Sequence, residues 1–321
     1  MARCDIESER APDTGSIVPA AQRPIEPAAE GFRGKRAVIF GAGYVGGAVA
    51  ERLVASGAEV FALTRNAGRA AELRGRGVSV CEAQLADLAR WGDRVPSEVD
   101  FVLNAVGAGG GGVEGYRASY VRGFAALLTW AERVSARATL VYTSSTSVYP
   151  QSGGVIVDET VPIGGEDERT QLLIEAERLA QRWPGGATVL RLAGLYGPGR
   201  HHLLDQLRQG VDVMSGRPEV RLNLAHRDDV LAAVLAAWRQ SERAAGEVFN
   251  VADDAATAKA TVVAWLAQRL ERSVPAFSGE PAPGRRRVTP DRVISNAKLK
   301  TRLGWRPLYP SFREGYERLL R

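Results

Sequence analysis

Short apolar runs separated by amphipathic stretches organise the chain from residue 36 onwards. The first run, Ala37–Phe40, is bounded by glycine and has the form of a strand buried on both faces. A segment with apolar residues at helical spacing follows and ends at Gly57, and a second apolar run occupies Glu59–Thr64. Residues 36–64 therefore predict a strand, a helix and a second strand parallel to the first.

The same alternation continues along the chain, with helical stretches between most of the apolar runs. The further runs are Val78–Val80, Asp100–Leu103, Thr139–Tyr142, Thr188–Leu192 and Val248–Val251. This pattern predicts an α/β fold with a Rossmann-type, doubly wound parallel sheet. After about residue 197 the spacing loosens, which predicts a smaller C-terminal α/β region with helices near 230–239 and 257–272.

The pattern divides the chain into three predicted parts. Residues 1–33 are rich in Pro, Ala, Glu and Arg without an apolar period, so we expect a disordered leader or a start codon assigned too early. Residues 34–196 and 226–252 form the predicted Rossmann domain. Residues 197–225 and 253–321 form the predicted smaller domain.

Composition narrows the classes of function. The 321 residues carry a formal net charge of +5, from 42 Lys and Arg against 37 Asp and Glu, and this small excess is spread along the chain. Nucleic acid is therefore not an expected partner. The only cysteines, Cys4 and Cys81, offer no disulfide framework and favour a cytoplasmic location. No apolar run reaches the ~20 residues of a membrane span, and the three histidines lack further ligands at metal-binding spacing.

A glycine-rich turn joins the first strand to the first helix. Gly41, Gly43 and Gly46 follow the pattern G-x-G-x-x-G, and Tyr44 and Val45 begin the helix. In this context the first glycine permits a tight turn, the second lets a diphosphate approach the backbone, and the third lets helix and strand pack closely. The helix N-terminus offers N–H groups to the phosphates. We therefore predict a dinucleotide site; a turn that only connects strand and helix is the alternative.

The end of the second strand predicts which dinucleotide is bound. Sites for NAD usually place an acidic residue there, which accepts hydrogen bonds from the ribose hydroxyls. This chain has Thr64-Arg65-Asn66 instead, and a guanidinium suits a 2′-phosphate. We predict NADP in preference to NAD, and an ordinary solvated Arg65 is the alternative.

From about residue 36 to the C-terminus, the chain resembles the extended short-chain dehydrogenases/reductases of the NAD-dependent epimerase/dehydratase family. The order and spacing of several segments carry this resemblance: residues 41–47, 104–107, 142–149, 191–200, 223–229, 295–299 and 303–307. It implies a small-molecule substrate bound in the smaller domain and a homodimer. With the glycine turn and Arg65 it gives this set of cofactor-binding residues: Gly41, Gly43, Tyr44, Val45, Gly46, Arg65, Leu85, Ala105, Val106, Gly107, Ser144, Ala193, Gly194 and Leu195.

The residues that the family uses for catalysis are only partly present. In the family, a serine four places before the tyrosine of a Val-Tyr pair helps to hold the substrate oxygen, and that serine is Ser145 here; a hydroxyl that only satisfies the turn is the alternative. The family's acid/base pair, Y-x-x-x-K, falls on Arg169 and Leu173. Neither can exchange a proton at neutral pH, so the chain resembles an atypical branch that has lost the pair. Tyr149 and then Tyr196 are candidate replacements, unless their rings only pack locally.

Three other segments allow a functional and a structural interpretation. The resemblance places the loop that contains His226 near the substrate. Gly107–Gly112 is either a flap over the cofactor or a tolerated surface loop. Arg285–Arg287 suits an anionic substrate such as a nucleotide diphosphate, or a solvated surface.

Three functions follow from these observations. The first is an NADP-dependent oxidoreductase that acts on a small carbonyl, alcohol or sugar nucleotide. The second is a nucleotide-sugar epimerase or dehydratase with a retained cofactor, although such reactions begin with removal of a hydroxyl proton and the acid/base pair is missing. The third is a non-catalytic NADP-binding redox sensor or scaffold, which the loss of that pair keeps open.

Overall fold

The computed structural model describes residues 31–96, 98–133, 138–281 and 290–321. The strands, in chain order, are β1 (Arg36–Phe40), β2 (Glu59–Thr64), β3 (Ser79–Glu82), β4 (Phe101–Asn104), β5 (Thr139–Ser145), β6 (Val155–Val157), β7 (Thr188–Leu192), β8 (Gly194–Tyr196), β9 (Val213–Met214), β10 (Arg221–Leu222), β11 (Leu224–His226), β12 (Val248–Val251), β13 (Thr257–Ala258), β14 (Ala276–Phe277) and β15 (Arg292–Ile294).

The α-helices are α1 (Tyr44–Ala55), α2 (Ala67–Gly75), α3 (Leu88–Trp91), α4 (Gly112–Tyr116), α5 (Gly123–Arg133), α6 (Glu168–Ala180), α7 (His202–Arg208), α8 (Arg227–Arg239), α9 (Ser241–Ala244), α10 (Lys259–Arg269), α11 (Ala297–Leu303) and α12 (Phe312–Leu320). A π-helical stretch, Arg117–Arg122, links α4 to α5, and a 3-10 turn, Thr146–Val148, follows β5. None of the helices in the described part of the chain has the length and hydropathy of a membrane span.

A seven-stranded parallel sheet forms the centre of the fold, in the order β12-β7-β5-β4-β1-β2-β3. Each apolar run found in the sequence from Ala37 to Val251 contributes one of these strands. The predicted doubly wound sheet is therefore confirmed. The strand order reverses between β1 and β4, which are neighbours in the sheet. Open α/β sheets bind ligands at the carboxyl ends of the strands beside such a reversal.

Apolar layers cover both faces of the sheet. Residues of α1 and α8 pack on one face, and α5 with Trp91 of α3 packs on the other. Because both faces of the sheet are covered, β1 is an almost unbroken apolar run, and Val38, Ile39 and Phe40 are fully buried. The sheet thus provides a rigid edge on which loops can present functional groups.

The fold begins earlier than the sequence pattern predicts. Phe32 was expected in a disordered leader of residues 1–33, yet its ring is buried and packs edge-on against Phe101 and Trp238. Phe32 has no apolar neighbours at strand or helix spacing, so the sequence did not predict this contact. At least residues 31–33 therefore belong to the folded part, and residues 1–30 lie outside the described residues.

The C-terminal part has an apolar cluster of its own, formed mainly by α7, α10 and α12. Two separate two-stranded parallel sheets, β11 with β8 and β15 with β6, join later segments of the chain to the segments that follow β7 and β5. The Arg292 guanidinium donates hydrogen bonds to the carbonyl oxygens of Thr146, Tyr149 and Gln151. The division into a Rossmann domain and a substrate domain remains a prediction, and Arg285–Arg287 lies outside the described residues.

Candidate functional site

The three glycines of the first turn have different surroundings. Gly41 has a φ of +86°, and a Cβ there would lie 2.6 Å from the backbone N and Cα of Val106. A Cβ on Gly46 would lie 2.3 Å from the carbonyl oxygen of Gly41. A Cβ on Gly43 would meet no atom within 4 Å. Packing inside the chain thus requires glycine at 41 and 46, whereas Gly43 borders open space that a diphosphate can enter.

The N-terminus of α1 opens into the same space. The helix begins at Tyr44, its N-cap is Gly43, and no side chain caps it. The first turn also contains no acidic residue. Its N–H groups and the positive end of the helix dipole are therefore available to an anionic ligand.

Arg65 lies beside the glycine loop that follows β4. A Cβ on Gly109 would lie 1.5 Å from a terminal nitrogen of the Arg65 guanidinium, so the two residues are in direct contact. Residues 109–112 all have positive φ, a path that side chains other than glycine rarely follow. Arg65 is exposed and makes no ion pair or side-chain hydrogen bond within the described ranges. Its guanidinium is thus available at the end of β2.

The neighbouring Arg69 has a structural role instead. It bridges Glu51 and Glu72, each at 2.7 Å. Its guanidinium also covers Gly47, where a Cβ would lie 2.3 Å from one of its nitrogens. Of the two arginines, only Arg65 is left for a ligand.

The other predicted cofactor residues fall into two groups. Ala105, Val106 and Gly107 continue from β4. The Val106 backbone touches Gly41 at the carboxyl ends of β1 and β4, where the strand order reverses; we call this place the crevice. The remaining residues already have contacts inside the chain. Leu85 is buried against Gly123, the N–H groups of Ala193 and Gly194 donate to Val251 and Asn223, and Leu195 lies in β8 paired with β11.

A buried polar network lies behind the end of β5. Glu177 of α6 binds Arg191 of β7 with two parallel hydrogen bonds, 3.0 Å from Nε and 2.7 Å from Nη2. The Ser144 hydroxyl donates to Glu177 at 2.6 Å. Ser144 is therefore engaged inside the protein rather than available to a cofactor. The sequence did not identify a partner for Arg191, although Glu177 falls among the buried residues of α6.

Tyr149 belongs to the same network and does not face the crevice. Its hydroxyl accepts from Arg191 at 2.7 Å and donates to Asn250 at 2.8 Å, and the residue is 1% exposed. Burial raises the pKa of Tyr149, and the Arg191 charge opposes that rise. The structure thus gives Tyr149 a structural place, not the place beside the nicotinamide that the sequence suggested. Tyr196 is likewise buried.

Ser145 is the predicted catalytic residue that remains accessible. It is half-buried at the end of β5, and its hydroxyl oxygen accepts the N–H of Ser147 at 3.1 Å. The Ser145 side chain therefore caps the 3-10 turn, and its own proton is available to a ligand oxygen. Its role in catalysis stays a prediction.

Arg169 and Leu173, which stand at the positions of the missing acid/base pair, make other contacts. Leu173 is buried in the core. The Arg169 guanidinium lies 5.7 Å from the centroid of the Tyr116 ring, and the rings of Tyr116 and Tyr120 are 5.3 Å apart. Burial raises the pKa of Tyr120 to about 12. Neither phenol stands out in the sequence, where the only signal is a four-residue spacing after the glycine loop.

Comparison with known proteins gives a consistent family and fold. The model of the NAD dependent epimerase/dehydratase family matches residues 37–252. Protein YeeZ of Escherichia coli (strain K12) is 30% identical over 172 residues, and the matched part covers 53% of this chain but only 58% of that relative. A 3-diazoavenalumate denitrifying reductase of Streptomyces sp is 27% identical over 322 residues, covering 88% of this chain and 99% of the relative.

A solved structure shows how far the fold extends. The UDP-glucuronic acid 4-epimerase of Bacillus cereus, in complex with UDP-glucuronic acid and NAD, has a TM-score of 0.74 and 18% identity. The alignment covers 88% of this chain and 96% of that one. At this identity the likeness concerns the fold alone, and it includes most of the smaller C-terminal part.

Proposed function

The chain belongs to the NAD dependent epimerase/dehydratase family, and from this premise we propose that it is an NADP-dependent reductase of a small molecule. The proposal rests on the guanidinium of Arg65 at the end of β2, which has no ion-pair partner among the described residues. It stands where a site for NAD would have a carboxylate. A 2′-phosphate on the ribose would accept paired hydrogen bonds from it.

The crevice provides the rest of the cofactor site. The diphosphate would lie over Gly43 at the N-terminus of α1, and the nicotinamide would extend toward Ser145 past residues 105–107. The cofactor supplies hydride when bound. Ser145 would donate a hydrogen bond to the substrate oxygen, and the smaller C-terminal part would cover the substrate.

Reduction fits the residues better than epimerisation or dehydration. Those reactions begin with removal of a proton from a hydroxyl, and neither Arg169 nor Leu173 can accept one. A reduction needs hydride at carbon and at most one proton at the product oxygen, which water can supply. The Streptomyces relative is itself named a reductase of a diazo compound. Replacement of the N₂ of an aromatic diazonium group by hydride (Ar–N₂⁺ + H⁻ → Ar–H + N₂) requires no proton from the protein, so we include such electrophiles among the candidate substrates.

A non-catalytic NADP-binding sensor is the second candidate, because Leu173 and Arg169 replace the acid/base pair. The two functions differ in the fate of bound NADPH. Absorbance of the reduced nicotinamide would fall on addition of a substrate of the reductase, whereas a sensor would retain bound NADPH with every carbonyl or diazo compound offered. For either function we propose a cytoplasmic location and a homodimer.

The cofactor preference is tested by titrating NADPH and NADH into the wild type, Arg65→Ala and the control Arg178→Ala, which removes an exposed arginine of α6. Loss of charge-assisted hydrogen bonds to the 2′-phosphate should weaken NADPH by about 10- to 100-fold and leave NADH unchanged. Arg178→Ala should behave as the wild type. Equal NADPH affinity in all three proteins would remove the basis for NADP.

The diphosphate position is tested independently with two glycine variants. Gly43→Ala adds a methyl group to open space, so the protein should fold normally but bind both dinucleotides at least tenfold more weakly. Gly46→Ala should instead lower stability, because its Cβ meets the Gly41 carbonyl at 2.3 Å. Unchanged binding by a folded Gly43→Ala protein would place the dinucleotide elsewhere.

A further inference from the structure

The guanidinium of Arg65 occupies the place that a side chain of Gly109 would fill. A Cβ on Gly109 would lie 1.5 Å from one terminal nitrogen of the guanidinium and 2.7 Å from its Cζ. These distances describe close approach between the guanidinium and the backbone of the loop that follows β4. Both residues are exposed, so a ligand can reach the guanidinium while it lies against the loop. A side chain at residue 109 would displace it.

The backbone of the loop packs on the helix that follows it. A Cβ on Gly115 of α4 would lie 1.9 Å from the carbonyl oxygen of Gly110 and 3.3 Å from that of Ala108. The Gly115 N–H also donates to the carbonyl oxygen of Gly111 at 3.0 Å. The φ of Gly109 is +63°, which residues other than glycine rarely adopt. The loop therefore presents bare backbone at a defined place beside the end of β2.

This environment differs from that of Arg69. The carboxylates of Glu51 and Glu72 hold the Arg69 guanidinium at 2.7 Å each and compensate its charge. The Arg65 guanidinium has no such partner where the structure describes the chain, and the glycine backbone brings no charge. A long side chain loses rotamer entropy when it is fixed by a ligand. Contact with Gly109 restricts the Arg65 side chain in advance and leaves its charge available.

We propose that Gly109 is a positioning residue for cofactor choice: its missing side chain lets the loop hold the Arg65 guanidinium ready for the 2′-phosphate of NADP. The proposal rests on the proposed function, in which Arg65 pairs with that phosphate. Coupling of this kind is reciprocal, so a phosphate that fixes the guanidinium also favours the observed position of the loop. The segment Gly107–Gly112 then contributes to selectivity and is not merely a tolerated surface loop.

The experiment is a double-mutant cycle on the full chain. NADPH and NADH are titrated into the wild type, Gly109→Ala, Arg65→Ala and the double variant, and dissociation constants are measured by calorimetry. Gly112→Ala is the matched control. Gly112 has a φ of +60°, and a Cβ there would meet no atom within 4 Å. It therefore introduces similar backbone strain in the same loop without contact with Arg65.

The expected result is a change in selectivity that depends on Arg65. Gly109→Ala should weaken NADPH at least about fivefold and leave NADH unchanged, because NADH has no 2′-phosphate. Gly112→Ala should keep the wild-type ratio of the two affinities. In the Arg65→Ala background, Gly109→Ala should change NADPH affinity by less than about twofold, because the side chain that it would displace is absent.

Three outcomes overturn the role of Gly109. These are a wild-type affinity ratio in Gly109→Ala, an equal loss for both dinucleotides, and a loss of the same size with and without Arg65. If Gly109→Ala does not fold, Gly109→Asn tests the same contact, because asparagine adopts positive φ more readily and carries the same Cβ. Its control is Gly112→Asn.

Failure of the proposed function gives a different pattern. Full NADPH affinity in Arg65→Ala, or a wild type that binds neither dinucleotide, would refute the proposed cofactor preference and the role of Gly109 with it. Weaker NADPH binding in Arg65→Ala together with a wild-type affinity ratio in Gly109→Ala would refute the role of Gly109 alone.

Discussion

Two clusters of buried polar side chains differ in how completely they are hydrogen-bonded. In the cluster of Ser144, Tyr149, Glu177, Arg191 and Asn250, each hydroxyl and each charge has a partner within the chain. Beside Gly197, the Tyr44 hydroxyl oxygen and His226 Nε2 are buried, and neither has a hydrogen-bond partner within the described residues. The first cluster connects α6, β7, β12 and the segment after β5 by hydrogen bonds. The second leaves two buried polar atoms without a partner in the described part of the chain. The position of a polar residue near the strand ends therefore does not by itself indicate a role in binding.

The largest expected effect comes from breaking the completed cluster. Glu177→Gln leaves the Arg191 charge buried without a carboxylate, which should lower the free energy of unfolding by about 3–5 kcal/mol. Urea denaturation of the wild type and the variant measures the difference. Glu175→Gln, an exposed position on the same helix, should change it little. Equal stability of Glu177→Gln and the wild type would contradict the assignment of this pair to the interior.

Tyr149→Phe should have a smaller effect on the same cluster. It removes the acceptor of Arg191 and the donor to Asn250, so we expect a loss of about 1–3 kcal/mol in unfolding free energy. The affinity for NADPH should stay within about twofold of the wild-type value, because the phenol does not reach the crevice. If the variant kept its stability and lost turnover, Tyr149 would regain the catalytic role that the sequence suggested.

The last expected effect is gradual: it is a change in how the free energy of unfolding depends on pH, and it comes from the buried carboxyl of Asp253. Burial raises the pKa of Asp253 to about 8, far above its ordinary 3.8. Between these values the folded chain keeps a proton that the unfolded chain has released, so stability falls as pH rises, by at most about 1.4 kcal/mol per pH unit. Asp253→Asn should remove this part of the slope between about pH 4 and 8.

The pH series needs a control on the surface. Asp87→Asn changes an exposed carboxylate and should keep the wild-type slope in urea denaturation at each pH. If Asp253→Asn and the wild type lose stability in parallel as pH rises, the Asp253 carboxyl is not protonated in the folded protein.

The sequence predicted the central sheet well because most of its strands are buried on both faces and bounded by turn residues. The positions of the glycine turn and of Arg65 were also predictable, since they depend on spacing within a single strand-helix-strand unit; their roles in binding stay predictions. Tyr149 was not, because its partners Arg191 and Asn250 lie 42 and 101 residues away. Its local pattern, an aromatic residue after a strand, is the same for a buried phenol and for a catalytic one.

The three carbonyl oxygens held by Arg292 have a consequence for dissecting the protein. The family match ends at residue 252, but the guanidinium that fastens the chain just beyond Ser145 comes from β15, 40 residues later. A fragment cut at the family boundary would lose this fastening together with strand β15 and would leave those carbonyls without their donors. The segment after residue 252 is therefore part of the scaffold that holds the chain in place after Ser145.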